Sequence, residues 1–221
     1  MKLGVLFSGG KDSTLAMYLA KKSGYAVSCL ISIISENKDS FMFHTPSISQ
    51  VKKQAEQMSI PLIVKKTKGV KEKELLDLEK CIKEAQKKYH IEGIVTGAVG
   101  SVYQASRIQK ICNKLNIECF NPLWQKEQYE ILNDMIEYGF EAIITGVAAF
   151  PLDKDWLGRK IDKKFISEMK KLERYKINPA GEGGEFETFV LYCPMFKRRL
   201  KIADAKVSGE ENSFRMEAIV K

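Results

Sequence analysis

The apolar positions fall into short uninterrupted runs separated by segments with helical spacing. Lys2–Phe7 (KLGVLF) reads as a strand of the buried type, and Ala26–Ile34 (AVSCLISII) as a second, rich in β-branched side chains. Pro61–Lys65 (PLIVK) and Gly93–Thr96 (GIVT) give a third and a fourth, and Glu118–Phe120 a short fifth. Between these runs the apolar residues recur every three to four positions, the period of a helix. Leu15 and Leu19 with Ala16 and Ala20 predict a helix closed by Gly24. Ser49–Met58, Glu72–Tyr89 and Val102–Leu115 predict three more. Short apolar strands alternating with amphipathic helices define an α/β fold, a mainly parallel sheet with helices on both faces.

The pattern changes after Asn121–Pro122. Glu127–Tyr138 has helical spacing and Glu141–Thr145 (EAIIT) reads as a strand. Beyond Pro179 the chain is glycine-rich, then alternates in the β manner from Thr188 to the end. Antiparallel strands of a smaller C-terminal α+β lobe follow from that alternation. The expected division is residues 1–122 and 123–221, with no repeat and no low-complexity linker.

Charge narrows the partners. The 221 residues carry 36 Lys plus Arg against 28 Asp plus Glu, a formal net charge of +8. Lysines cluster at Lys65, Lys66, Lys68, Lys71 and Lys73, at Lys163, Lys164, Lys170 and Lys171, and at Lys197 to Lys201. Such clusters suit an anionic ligand, a nucleic acid or an acidic protein surface, although a solvated lysine-rich face is the more ordinary account of them. The N-terminal apolar run is too short for a signal peptide, and no stretch approaches the length of a membrane helix. A cytoplasmic protein is expected, with no membrane partner. Five cysteines without a CxxC pair read as reduced thiols, and only His44 and His90 exist to supplement them.

The chemistry begins at Ser8-Gly9-Gly10-Lys11-Asp12-Ser13, between the first strand and the first helix. Open α/β sheets bind ligands at this kind of turn. The glycines let backbone N–H groups approach an anion, and a helix starting near Ser13 adds its positive dipole end. Lys11 neutralises phosphate charge, Ser8 and Ser13 offer hydroxyls, and Asp12 is suited to Mg²⁺, which prefers carboxylate and phosphate oxygens. A Walker A loop is excluded, because Val5 stands where its first glycine belongs, and no GxGxxG is present.

This hexapeptide resembles the PP-loop of the ATP pyrophosphatases. That resemblance implies a HUP-type, Rossmann-like fold, ATP as substrate, attack at its α-phosphate and departure of pyrophosphate. It also implies adenine against the backbone of about Leu30 to Ser35, with His44 nearby. Further segments narrow the choice: GAVGSVYQASR at Gly97–Arg107, LDKDWLGRKID at Leu152–Asp162 and NPAGEGGEFETF at Asn178–Phe189, with FMFHTP at Phe41–Pro46 and NPLW at Asn121–Trp124. In this order, through nearly the whole chain, they are similar to the diphthine–ammonia ligase family, which completes diphthamide on translation elongation factor 2. The resemblance implies an acyl-adenylate of the diphthine carboxylate, resolved by ammonia to the amide and AMP. Free ammonia is the expected nitrogen donor, since no glutaminase segment is recognisable. By this resemblance the chain is expected to be of the short archaeal type, without the extra C-terminal domains of the long eukaryotic forms. It departs from the family pattern at Ser47, Gln109 and Tyr192.

Within that reading Lys11, Glu182 and Glu185 are the catalytic candidates. Carboxylates near ATP are unfavourable unless a cation lies between. Glu182 or Glu185 is therefore expected either to bind Mg²⁺ or to capture ammonium and remove its proton. Alternatively the Gly181–Glu185 loop shapes a peptide-binding cleft, or is a surface turn. Gly97, Tyr103, Gln104 and Arg107 are placed with the nucleotide site; Trp156 with Arg159 is expected to line the cleft, while for Trp156 and Trp124 core packing is the alternative. Asp162 anchors Arg159 or meets the substrate. Direct nucleic-acid binding is not expected, and homo-oligomers are compatible with the sequence. A PP-loop enzyme acting on tRNA and a non-catalytic ATP sensor are the competing classes.

Overall fold

A computed structural model describes residues 1–35, 48–68, 70 and 73–221. The chain forms two compact units, Met1–Ser8 with Asp12–Trp124, and Gly9–Lys11 with Gln125–Lys221.

In the first unit, strands β1 (Lys2–Leu6), β2 (Ala26–Ser35), β3 (Leu62–Thr67), β4 (Gly93–Val95) and β5 (Glu118–Phe120) alternate with helices α1 (Lys11–Lys22), α2 (Ile48–Met58), α3 (Lys73–Tyr89) and α4 (Val102–Leu115). All strand pairs are parallel, in the order β3-β2-β1-β4-β5. The order reverses direction between β1 and β4, so the segments after these two strands flank the switch point where such sheets bind ligands.

The alternation along β2 explains how the sheet is covered. Cys29, Ile31 and Ile33 point to one face and join Leu78, Cys81, Ile82 and Ala85 of α3 with Ile108, Ile111 and Cys112 of α4 in one buried cluster. The α3 residues follow the helical i, i+3, i+4, i+7 spacing, while its lysines remain at the surface. Buried Ser32, with the opposite parity, spends its hydroxyl on the carbonyl of Phe7 at 2.6 Å. The chain leaving β1 is thereby fixed.

Helix α4 has the limits that its sequence predicts, because both ends are capped. Ser101 accepts from the N–H of Gln104, and Asn116 closes the helix in the left-handed conformation. Helix α1 starts at Lys11, two residues earlier than the position near Ser13 inferred from sequence.

The second unit contains α5 (Gln128–Glu137), β6 (Glu141–Val147), α6 (Lys163–Lys171), β7 (Phe186–Tyr192), β8 (Ile202–Glu210) and β9 (Ser213–Val220). Its sheet is antiparallel, ordered β7-β6-β9-β8. Helix α6 is not foreseen by the sequence reading, and Asp162 is its N-cap, accepting from Phe165 N at 2.8 Å. Arg159 is held elsewhere: it stacks 4.0 Å over the Trp156 ring and pairs with Glu168. Asp162 therefore caps a helix and does not anchor Arg159. Replacing it with Ala is expected to cost about 1 kcal/mol, the usual worth of such a cap, read from the denaturant midpoint.

Candidate active site

In the first unit the loop after β1 is closed by its own serines. Ser8 N donates to Ser13 Oγ at 3.3 Å, and the two hydroxyls lie 3.1 Å apart. Asp12 and Ser13 stand in the first turn of α1, where helix amides and the dipole favour an anion. Behind them passes the segment after β4. A Cβ added at Gly97 would lie 2.7 Å from Ser13 N and 2.8 Å from Asp12 C, both backbone atoms. Only glycine permits this approach. The segment is anchored by Thr96, whose hydroxyl donates to Asn121 Oδ1 at 2.5 Å and accepts from Ala98 N at 3.1 Å. Asn121 enters the sequence reading only within the NPLW segment and Thr96 only as a strand end, because a threonine ending a strand and an asparagine before proline are ordinary turn chemistry.

Tyr103, Gln104 and Arg107 occupy the beginning of α4. The Arg107 guanidinium lies 3.5 Å over the Tyr103 ring, and its Nη1 donates to Tyr103 O at 3.4 Å. The stacking and this bond together hold the guanidinium against Tyr103. His44, the Phe41–Pro46 run and Ser47 lie outside the described residues.

In the second unit Gly9–Lys11 run beside the edge strand β7. Gly9 takes a positive φ of 82°. Its carbonyl accepts from Val190 N at 3.0 Å, and Lys11 N donates to Thr188 Oγ1 at 3.0 Å. The Lys11 side chain is only 3% exposed, and its ammonium lies 3.7 Å from Glu182 Oε1. A buried lysine needs an anionic or polar partner, since desolvating an isolated ammonium costs several kcal/mol. Thr188, which accepts from Lys11 N, is a residue that sequence reading does not single out.

The Gly181–Glu185 loop is folded around a carboxylate. Glu185 Oε1 accepts from Asn178 N at 3.0 Å, and Oε2 from Gly183 N at 2.8 Å. Gly181 has a φ of 73°, and a Cβ there would meet Phe186 O at 2.9 Å. A Cβ at Gly183 would lie 2.6 Å from Glu185 Oε1, so the carboxylate fills the space that a side chain would take. Of the two glutamates singled out from sequence, Glu182 meets Lys11 and Glu185 meets backbone amides. Tyr192 at the far end of β7 packs edge-on against Phe196, with ring centroids 6.5 Å apart.

Among the described residues no group of three or more His, Cys, Asp or Glu gathers as a ready metal site. Mg²⁺ seldom needs one: it binds through one or two carboxylates together with substrate phosphates and waters. The half-buried carboxylate of Asp12, in the first turn of α1, fits that mode.

All five cysteines are free thiols. Burial pushes those of Cys29 and Cys81 up to about 12. Cys112 and Cys119 share a hydrogen bond, which together with burial raises Cys112. The same bond lowers Cys119, aided by the Asn121 amide at 3.8 Å and opposed by burial. Because the thiolate is the reactive form, iodoacetamide at about pH 8 is expected to label Cys119 ahead of Cys29, Cys81 and Cys112 in a peptide map.

A parallel sheet with the Ser8–Ser13 hexapeptide at its switch point, and a second loop packed behind it, defines a PP-loop α/β protein. Family models agree along the chain: the diphthamide synthase N-terminal domain matches residues 1–119, and the diphthamide synthase C-terminal domain matches residues 127–217. The chain belongs to this family, whose curated members are named diphthine–ammonia ligase. The Bos taurus protein of that name is 33% identical over 94% of this chain and 85% of its own length. The Schizosaccharomyces pombe protein is 33% identical over 100% of this chain, which spans 40% of that longer relative. A solved structure described as a predicted subunit of tRNA methyltransferase, from Methanocaldococcus jannaschii, aligns over 88% of this chain and 98% of its own. Its TM-score is 0.44 and its sequence identity 21%.

Proposed function

We propose that the chain is an ATP-dependent ligase that amidates the diphthine carboxylate of translation elongation factor 2 with ammonia. The observation that carries the reading is the buried Lys11 of the hexapeptide, its ammonium facing Glu182 of the glycine-rich loop, in a chain of the diphthine–ammonia ligase family. Ser8, Gly9, Gly10 and Ser13 would cradle the β- and γ-phosphates, with Lys11 offsetting their charge. The diphthine carboxylate oxygen attacks the α-phosphorus, and the bond to the bridging oxygen of pyrophosphate breaks. Ammonia then attacks the acyl carbon, the C–N bond forms, AMP leaves with the acyl C–O bond pair, and one proton is lost. Adenylation is needed because a carboxylate is a poor acyl donor, whereas AMP is a good leaving group.

Asp12 would hold Mg²⁺, which supplies charge neutralisation on the phosphate oxygens. Glu182 would be the carboxylate base for ammonium, attracting it and accepting its proton. Gly97 gives the second loop its approach to the first, while Tyr103, Gln104 and Arg107 are assigned to the nucleotide or the carboxylate. The setting is read as cytoplasmic; among the described residues no helix is long and apolar enough to cross a membrane.

The test incubates the protein with ATP, Mg²⁺, ammonium and elongation factor 2 bearing diphthine, then measures nucleotides and the mass of the modified peptide. Amide formation matched by AMP is the expected result. AMP with an unmodified factor would move the chemistry to another acid, tRNA-linked substrates included. ATP binding without AMP would leave a sensor and remove the ligase reading.

A further inference from the structure

Nothing in the proposed reaction needs two glutamates in the Gly181–Glu185 loop, and the structure treats them differently. The oxygens of Glu185 are taken by two backbone N–H groups five residues apart in the chain, on Asn178 at 3.0 Å and Gly183 at 2.8 Å. Its own carbonyl accepts from Ala148 N at 2.8 Å, tying the start of β7 to the end of β6. Ala180 N donates to Gln128 Oε1 at 3.0 Å, and Gly181 N to Asn178 O at 2.9 Å. The loop is therefore wrapped around one carboxylate, and the residue that this wrapping leaves beside Lys11 is Glu182, immediately before Gly183.

We propose that Glu185 is a positioning residue: its carboxylate, clasped by the N–H groups of Asn178 and Gly183, fixes the loop so that Glu182 meets the ammonium of Lys11. The assignment builds on the ligase reading, since it says how that site is held. An acid is required at position 185 for a reason of valence. Both of its partners are donors, and only a carboxylate offers an acceptor at each end. Glutamine presents one oxygen and one NH₂, so one of the two backbone amides faces another donor. Aspartate keeps the charge but is one methylene short of spanning both amides. Gly183 has no room for a side chain because the Glu185 carboxylate occupies that space. Gly183 and the second glutamate are thus parts of one clasp.

The experiment compares E185Q, E185D, E182Q and the double variant E182Q/E185Q of the full chain. Two readouts are independent of turnover: hydrogen–deuterium exchange over residues 178–184 and the rate at which an acetylating reagent labels Lys11. E185Q and E185D are expected to raise exchange at Gly183 about tenfold, the worth of a charge-assisted hydrogen bond, while E182Q leaves it unchanged. Lys11, 3% exposed in the parent, should be labelled faster in E185Q and in E182Q, with no further gain in the double variant. In AMP formation, E185Q should lower kcat about tenfold with little change in KM for ATP, and should have no added effect in the E182Q background.

Unchanged exchange in both E185 variants, or an E185Q effect on Lys11 labelling that persists in full on top of E182Q, overturns the proposal. If one E185 variant fails to fold, the other carries the same comparison. A parent protein that forms no AMP removes the ligase reading, and the exchange and labelling data still decide the clasp.

Discussion

Lys11→Met is expected to abolish measurable ligation, lowering AMP formation by about two to three orders of magnitude while the protein stays folded. The size of the effect follows from where the charge sits. Lys11 is 3% exposed, so water screens its ammonium little, and a fixed charge in such a place acts on developing pyrophosphate far more strongly than one in solvent. Methionine keeps the length and apolar volume of the stem and removes only the charge. The Lys11 N–H that donates to Thr188 Oγ1 belongs to the backbone and survives the substitution. Glu182, 19% exposed, can turn to water when its partner is lost. Steady-state AMP release with denaturant midpoints for both proteins checks the expectation. Near-parental turnover would remove Lys11 from the chemistry, whereas a collapsed midpoint would show that the charge supports the fold instead.

The second large effect is expected at Gly97. An alanine Cβ there would stand 2.7 Å from Ser13 N and 2.8 Å from Asp12 C, and neither backbone atom can turn aside as a flexible side-chain end would. The strain must be relieved by moving the start of α1 or the segment after β4. A destabilisation of about 1–3 kcal/mol follows, the usual cost of forcing atoms into a packed site. Pyrophosphate affinity should fall with it, because the displaced residues include Asp12 and Ser13. Gly100→Ala is the matched control in the same segment, since a Cβ at that position meets nothing within 4 Å. Equal midpoints and equal pyrophosphate affinities for the two variants would sink the argument.

What could be read from the sequence was whatever is encoded by short-range pattern. The five parallel strands are visible because each is an apolar run bounded by turn residues, and α4 because Ser101 and Asn116 mark its ends. The hexapeptide is legible for the same reason: its chemistry is contiguous. Helix α6 escapes because four lysines dominate its nine residues, and only Phe165, Ile166 and Met169 mark its buried face. The contact of Lys11 N with Thr188 escapes for a different reason. Its partners are 177 positions apart, and threonine on a strand carries no signal of what its hydroxyl will meet. Glu182 and Glu185 look alike within GEGGE, and only the folded backbone separates the acid beside Lys11 from the acid that holds the loop.

The placement of Gly9–Lys11 with the second unit sets a timetable for synthesis on the ribosome. The hexapeptide emerges among the first residues made, yet the acceptors and donors that hold its middle, Glu182, Thr188 and Val190, are added near the end. Domains generally fold as they emerge, N-terminal parts first. The parallel sheet can thus be formed on the ribosome while the loop it presents is still without its support. A nascent chain halted after Trp124 should carry the whole hexapeptide, while Gly9–Lys11 gain the partners that hold them only once β7 has been made.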